Sequence, residues 1–153
     1  METPGHGAGA VELSAAECRD LLETDVVGRV AFVTPAGPRI VPVNYAVEGD
    51  LVRFRTSART ELAIYAPDHR VAFEIDHLDQ ERRRGWSVVV HGTVRRSAED
   101  GEVPVQRPGQ EPEPWAGGHR PLWLEVPLDE VSGRRVGGDH WPHPVVSGRG
   151  RSH

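Results

Sequence analysis

The densest run of chemically capable side chains is Arg55-Thr56-Ser57-Ala58-Arg59-Thr60. Its guanidiniums and hydroxyls can donate charge-assisted and neutral hydrogen bonds to the oxygens of one anion. The run lies where a predicted strand ends and a predicted helix begins, and free N–H groups at a helix start add partial positive charge. Phosphate is the anion this chemistry suits. The same spacing also fits plain capping by Ser57 or Thr60 with two solvated arginines, and spacing alone leaves both readings open. A second feature is Gly85-Trp86-Ser87-Val88-Val89-Val90-His91-Gly92, where Trp86 heads an apolar strand and reads as core or interface residue, or as a stacking platform.

Other constellations carry less. His140 and His143 stand in a Gly- and Pro-flanked stretch near the C-terminus, which reads as tail and not as a metal site. Asp76 and Asp79 bracket a predicted turn, with nothing to hold them as an acid–base pair. The G-x-S-x-G nucleophile elbow is absent. No residue is assigned a catalytic role, and no metal is expected.

The elements that must position these residues follow from periodicity and turn signals. Residues 13–24 read as a short helix, with Ser14 and Glu17 as a capping box and Leu13 and Cys18 as its staple. Cys18 reads as a small buried hydrophobe. Val30–Val33 is a short apolar strand, followed by a turn at Pro35-Ala36-Gly37-Pro38. Arg39–Val47 is a second strand, in which Pro42 marks an edge or bulge. Glu48-Gly49-Asp50 is a hairpin turn into the strand Leu51–Thr56. A short helix at 58–66 is closed by Pro67. The strand Arg70–Asp76, a charged loop at 77–84 and the strand Trp86–Val94 follow, with Gly92 as a bulge candidate. Residues 97–118 read as loop, and 122–126 and 129–136 as the last strands. This gives a flexible segment 1–12, one β domain at 13–136 and a flexible tail 137–153. Short strands with hairpin links favour an antiparallel barrel.

Composition narrows the function. The chain has 153 residues, 37% of them hydrophobic, and a net charge of −5. No apolar run approaches the ~18 residues of a membrane span. The acidic balance gives no basic stripe for nucleic acid. All 18 basic residues are arginine, so no lysine is available for a Schiff base or a Walker-type phosphate contact. The single cysteine forms no intramolecular disulfide, and the N-terminus shows no secretory pattern, so the cytoplasm is the expected compartment.

Six segments occur in a suggestive order: R-I-V-P-V-N-Y, G-D-L-V-R-F-R-T-S, R-V-A-F-E-I-D, G-W-S-V-V-V-H-G, P-W-A-G-G-H-R-P-L-W-L-E-V and V-S-G-R-R-V. Over residues 13–136 the chain resembles the pyridoxamine 5′-phosphate oxidase-like family, in its small actinobacterial branch similar to nitroimidazole reductases. The resemblance implies a six-stranded, Greek-key split β-barrel and a homodimer with FMN sites between subunits. It implies that Arg39, Val41, Pro42, Val43 and Asn44 run along the flavin edge and ribityl chain. Arg55, Thr56, Ser57, Arg59 and Thr60 meet the ribityl phosphate. Trp86, Ser87 and Val88 approach the ring, and Trp123 lines the partner's pocket. It further implies an FMN-dependent oxidoreductase acting on a small molecule. The alternatives are an F420-dependent reductase or a flavin- or haem-binding protein without turnover. One position departs from the family pattern: Glu61 stands where a phosphate-binding Lys is usual, a repulsion relieved if Glu61 points away or pairs with Arg59 or Arg55. Pyridoxamine phosphate oxidation itself would need a second phosphate-binding arginine set, for which Gly133-Arg134-Arg135 is the candidate.

Overall fold

The computed structural model describes residues 9–97 and 121–137. The expected flexible segments and the loop at 97–118, with His140 and His143, lie wholly or largely outside the described residues.

The chain order is β1 (Val11–Glu12), α1 (Ala15–Leu22), β2 (Val27–Thr34), β3 (Gly37–Glu48), β4 (Leu51–Ser57), α2 (Glu61–Tyr65), β5 (Arg70–Asp79), β6 (Arg84–Thr93), β7 (Arg95–Arg96), β8 (Pro121–Pro127) and β9 (Glu130–Val136). All strand pairings are antiparallel, in the order β1-β9-β6-β5-β2-β3-β4-β8-β7. β7 continues β6 past Val94 yet pairs with β8 at the far edge of the sheet. The sheet therefore curls back on itself, as a split barrel requires. The strand count is nine rather than six, because β7 extends β6 and the β1–β9 pair is added beside it.

Alternation along each strand fills one core. Val30 and Phe32 of β2, Tyr45 of β3, Phe54 of β4, Phe73 and Ile75 of β5, Val88 and Val90 of β6 and Leu124 and Val126 of β8 are buried together. Each such side chain gains ~1.5–3 kcal/mol by leaving water. Tyr45 meets Phe73 edge to face at 4.8 Å, and its hydroxyl donates to the Leu22 carbonyl of α1 at 2.6 Å.

α1 starts at its capping box: the Glu17 N–H donates to Ser14 Oγ and the Ser14 N–H to Glu17 Oε1, both at 3.1 Å. Cys18 is fully buried against β9, as expected.

Several boundaries differ from the sequence reading. Gly37 and Pro38 belong to β3, not to a turn. The charged stretch 77–84 is not a loop: β5 runs to Asp79, and β6 resumes at Arg84. The turn between them is stabilised by the Arg82 N–H, which donates to Asp79 Oδ1 at 3.0 Å and holds that carboxyl below its usual range. Asp76 is accordingly a mid-strand residue opposite Ser87. Gly92 is not a bulge, because the β5–β6 register is unbroken from Arg70↔Thr93 to Asp79↔Arg84. A side chain there would meet Val126 Cγ1 at 2.8 Å, so Gly92 lets β6 approach β8. Among the described residues no helix is long and apolar enough to cross a membrane.

Candidate functional site

The Arg55–Thr60 run joins the end of β4 to α2. Thr60, and not Ser57, is the N-cap, accepting from the Ala63 N–H at 3.2 Å. Its hydroxyl also lies 2.8 Å from Thr56 Oγ1 and 2.9 Å from the Ser57 carbonyl oxygen. α2 is the single turn Glu61–Tyr65, shorter than the predicted helix at 58–66. Its dipole is correspondingly small, so positive charge here comes from guanidiniums.

Strand alternation divides the expected constellation. Thr56 lies on the core side of β4, where it meets Thr60. Arg55 leaves the opposite side and lies over Trp123 of β8, its directly paired neighbour, with Cζ 6.0 Å from the ring centroid. Arg55 has no hydrogen bond or ion pair among the described residues, and neither has Arg59. On β3, Arg39, Val41 and Val43 share the core-side face, while Pro42 and Asn44 face outward. On β6, Trp86 and Val88 are buried in the core, with Trp86 stacked near His77 at 6.3 Å. Only Ser87 of that trio presents its side chain on the outer face, opposite Asp76 and Arg134. The side chains of Trp86 and Val88 are thus core residues and do not line a pocket with Ser87, because successive strand residues point to opposite faces.

Glu61 neither points away nor pairs with Arg55 or Arg59. Its Oε2 lies 3.4 Å from Arg39 Nε. The pair spans β3 and α2 and neutralises the arginine that the resemblance places along the flavin.

Arg53 is a residue the sequence reading passed over. It is 4% exposed. It donates to Glu48 Oε2 at 2.6 Å and to Ser97 Oγ at 2.8 Å, with Glu125 Oε2 4.0 Å from its Nε. Its Cζ lies 5.7 Å from the Trp123 ring centroid. Trp123 is therefore held between two guanidiniums spaced i, i+2 on β4. The alternation Arg53-Phe54-Arg55 was the available signal.

The donor set fits a phosphorylated aromatic group. Among the described residues it offers an unpaired guanidinium resting on an indole and a second unpaired guanidinium at Arg59, with a hydroxyl pair on the other side of the end of β4. Each suits a phosphate oxygen or a planar ring.

The family model for pyridoxamine 5′-phosphate oxidase matches residues 14–135. The chain belongs to the pyridoxamine 5′-phosphate oxidase family. It is 37% identical over 106 residues to the uncharacterised protein Rv0080 of Mycobacterium tuberculosis, covering 66% of this chain and 70% of that protein. Among solved structures, the FAD binding protein of Mycobacterium smegmatis is 30% identical, with a TM-score of 0.63 over 83% of this chain and 98% of that one. A FAD-binding protein of Mesorhizobium loti matches at 23% identity and a TM-score of 0.61, over 84% of this chain and 98% of that one, which carries the fold alone.

Proposed function

We propose that this protein binds a phosphorylated flavin and is an oxidoreductase acting on a small molecule. The observation that carries the reading is Arg55. Its guanidinium is fixed on the Trp123 ring yet has no anionic partner among the described residues. A cation so placed is prepared for an anion that arrives with a ligand. The description of the Mycobacterium smegmatis relative as a FAD binding protein supports the same class of cofactor.

In this reading Arg55 and Ser57, on one side of β4, and the exposed Arg59 donate to the phosphate, while Thr56 and Thr60 hydrogen-bond each other on the other side and fix the turn between them. The outward-facing Pro42, Asn44 and Ser87 border the rest of the ligand, whereas Arg39 lies on the other face of β3, paired with Glu61. Arg53 acts indirectly, by holding Trp123 in place. A bound flavin supplies hydride and electron exchange, and the protein supplies orientation and electrostatics. FMN is the smallest cofactor with this chemistry, and F420 is the alternative of the same fold.

A second copy of the chain is the proposed partner. Ile40 and Val33 are 70% and 69% exposed on the outer face of β2 and β3. Burial of such residues stabilises association.

The test is to purify the protein, record its visible spectrum, and identify any released chromophore by mass. A flavin band with stoichiometric release is expected. A protein that stays colourless after incubation with flavins contradicts the reading.

A further inference from the structure

We infer that the buried Arg53 and the Trp123 indole are positioning residues that aim the Arg55 guanidinium, and that the indole is a pedestal for Arg55 and not a stacking surface for the flavin ring; the inference rests on the flavin reading above. Arg53 and Arg55 leave the same side of β4, because residues two apart on a strand share a face. The Arg53 side chain is 4% exposed, and a guanidinium is stable at that depth only where its N–H groups are met. Nη1 donates to Glu48 Oε2 at 2.6 Å and Nη2 to Ser97 Oγ at 2.8 Å. The Ser97 N–H in turn donates to the Trp123 carbonyl at 2.9 Å. Arg53 thus reaches Trp123 twice: through Ser97 to its backbone, and directly at its ring, whose centroid lies 5.7 Å from Cζ. A planar fork with several donors can make these contacts together, which a single ammonium cannot. Arg55 stands directly opposite Trp123 on the paired strand, with Cζ 6.0 Å from the same centroid. Among the described residues it has no hydrogen bond or ion pair, so the ring is what fixes its direction. The electron-rich surface of this one indole already draws two cations.

The experiment is an equilibrium titration of the full chain with FMN, FAD and riboflavin. The proteins compared are the wild type, Arg53→Met, Trp123→Leu, Arg55→Ala and the double variant Arg53→Met/Arg55→Ala, with thermal melts as the check on folding. Arg53→Met and Trp123→Leu are each expected to weaken the phosphorylated flavins by roughly threefold or more and to change riboflavin by less than about twofold, because only a phosphate meets Arg55. In the Arg55→Ala background, Arg53→Met is expected to add less than about twofold. That non-additivity marks residues acting through one another, and a general loosening of the fold does not produce it. Ser97→Ala, which keeps the buried charge and removes one of its bonds, is the variant to read if Arg53→Met does not fold, with the same expectations. Unchanged affinity for the phosphorylated flavins, additive effects, or a loss for riboflavin as large as for FMN and FAD overturns the inference and leaves the flavin reading standing. A wild type that binds riboflavin as tightly as FMN and FAD overturns it too, since Arg55 then meets no phosphate. Binding of no flavin overturns the flavin reading itself, and this inference with it.

Discussion

Arg55 and Tyr45 are both fixed by a neighbour, with opposite consequences. Arg55 lies on a partly open face, against Trp123. Arg55→Ala is expected to weaken flavin phosphate binding at least tenfold, about 1.4 kcal/mol, with little change in melting temperature. Unchanged affinity in a calorimetric titration would remove Arg55 from the site. Tyr45 donates to the Leu22 carbonyl from the core, and burial pushes its phenol well above the usual range, with Asp25 adding to the shift. A raised folded pKa means that the folded state holds the proton after the unfolded state has released it. This contribution is full below the unfolded value of ~10 and is lost as pH rises beyond it. Tyr45→Phe is expected to cost about 1 kcal/mol at pH 7, from the lost hydrogen bond. The variant should then lose stability less steeply than wild type above pH 10. Parallel urea midpoints for the two proteins across that range would contradict this account. At this scale the sequence showed which residue types were available but not which way they point. Arg55-Thr56 reads as one cluster, yet it straddles the two sides of β4. The Arg39–Glu61 pair is set by the docking of α2, which no local pattern encodes.

The elements were easier to read where packing follows a simple period. The capping box of α1, the Gly49 hairpin and the alternation of β5 were legible because each rests on residues a few positions apart. Pro42 was also legible as an edge residue. Among the described residues the Gly37–Asn44 half of β3 pairs only with β2, and β4 joins from Tyr45 onward, so Pro42 lies on a half-strand paired there on one side. The 77–84 hairpin was hidden because charged side chains at an exposed hairpin end carry no apolar period. Gly92 and Gly133 show the other limit. Each is explained by an element distant in sequence. A side chain on Gly133 would meet Cys18 Sγ at 2.7 Å, and Leu13 Cδ1 and the Ser87 carbonyl oxygen at 3.0 Å. Gly133→Ala is therefore expected to destabilise the protein by ~1–3 kcal/mol by lifting α1 from β9. Cys18→Ala in the same chain should recover part of that loss. Additive effects in chemical denaturation would show that Cys18 is not the obstacle.

For the whole molecule, the curled sheet buries its core on one side and leaves an outer face that is part apolar and part ionic. On that face Arg29 lies 3.5 Å from both Glu74 and Asp76, and Ile40 sits one strand away, opposite Ala31. If two copies meet there, Ile40→Asp buries an unpaired charge at their interface. The variant is expected to sediment as a monomer at concentrations where the wild type is a dimer. A wild type that is monomeric throughout would contradict the proposed partner, and a variant that remains dimeric would move the interface elsewhere. The barrel class was legible from the rhythm of strands and turns. Its closure was not, because closure depends on β6 bending at Val94 so that β7 reaches β8.

In the proposed function the Arg55–Thr60 region receives the phosphate of a flavin. The most direct measurement is quenching of flavin fluorescence on titration with purified protein, comparing phosphorylated flavins with riboflavin. Binding of a phosphorylated flavin at least tenfold tighter than riboflavin is the expected result. Equal affinity for riboflavin, or no quenching by any flavin, would contradict it.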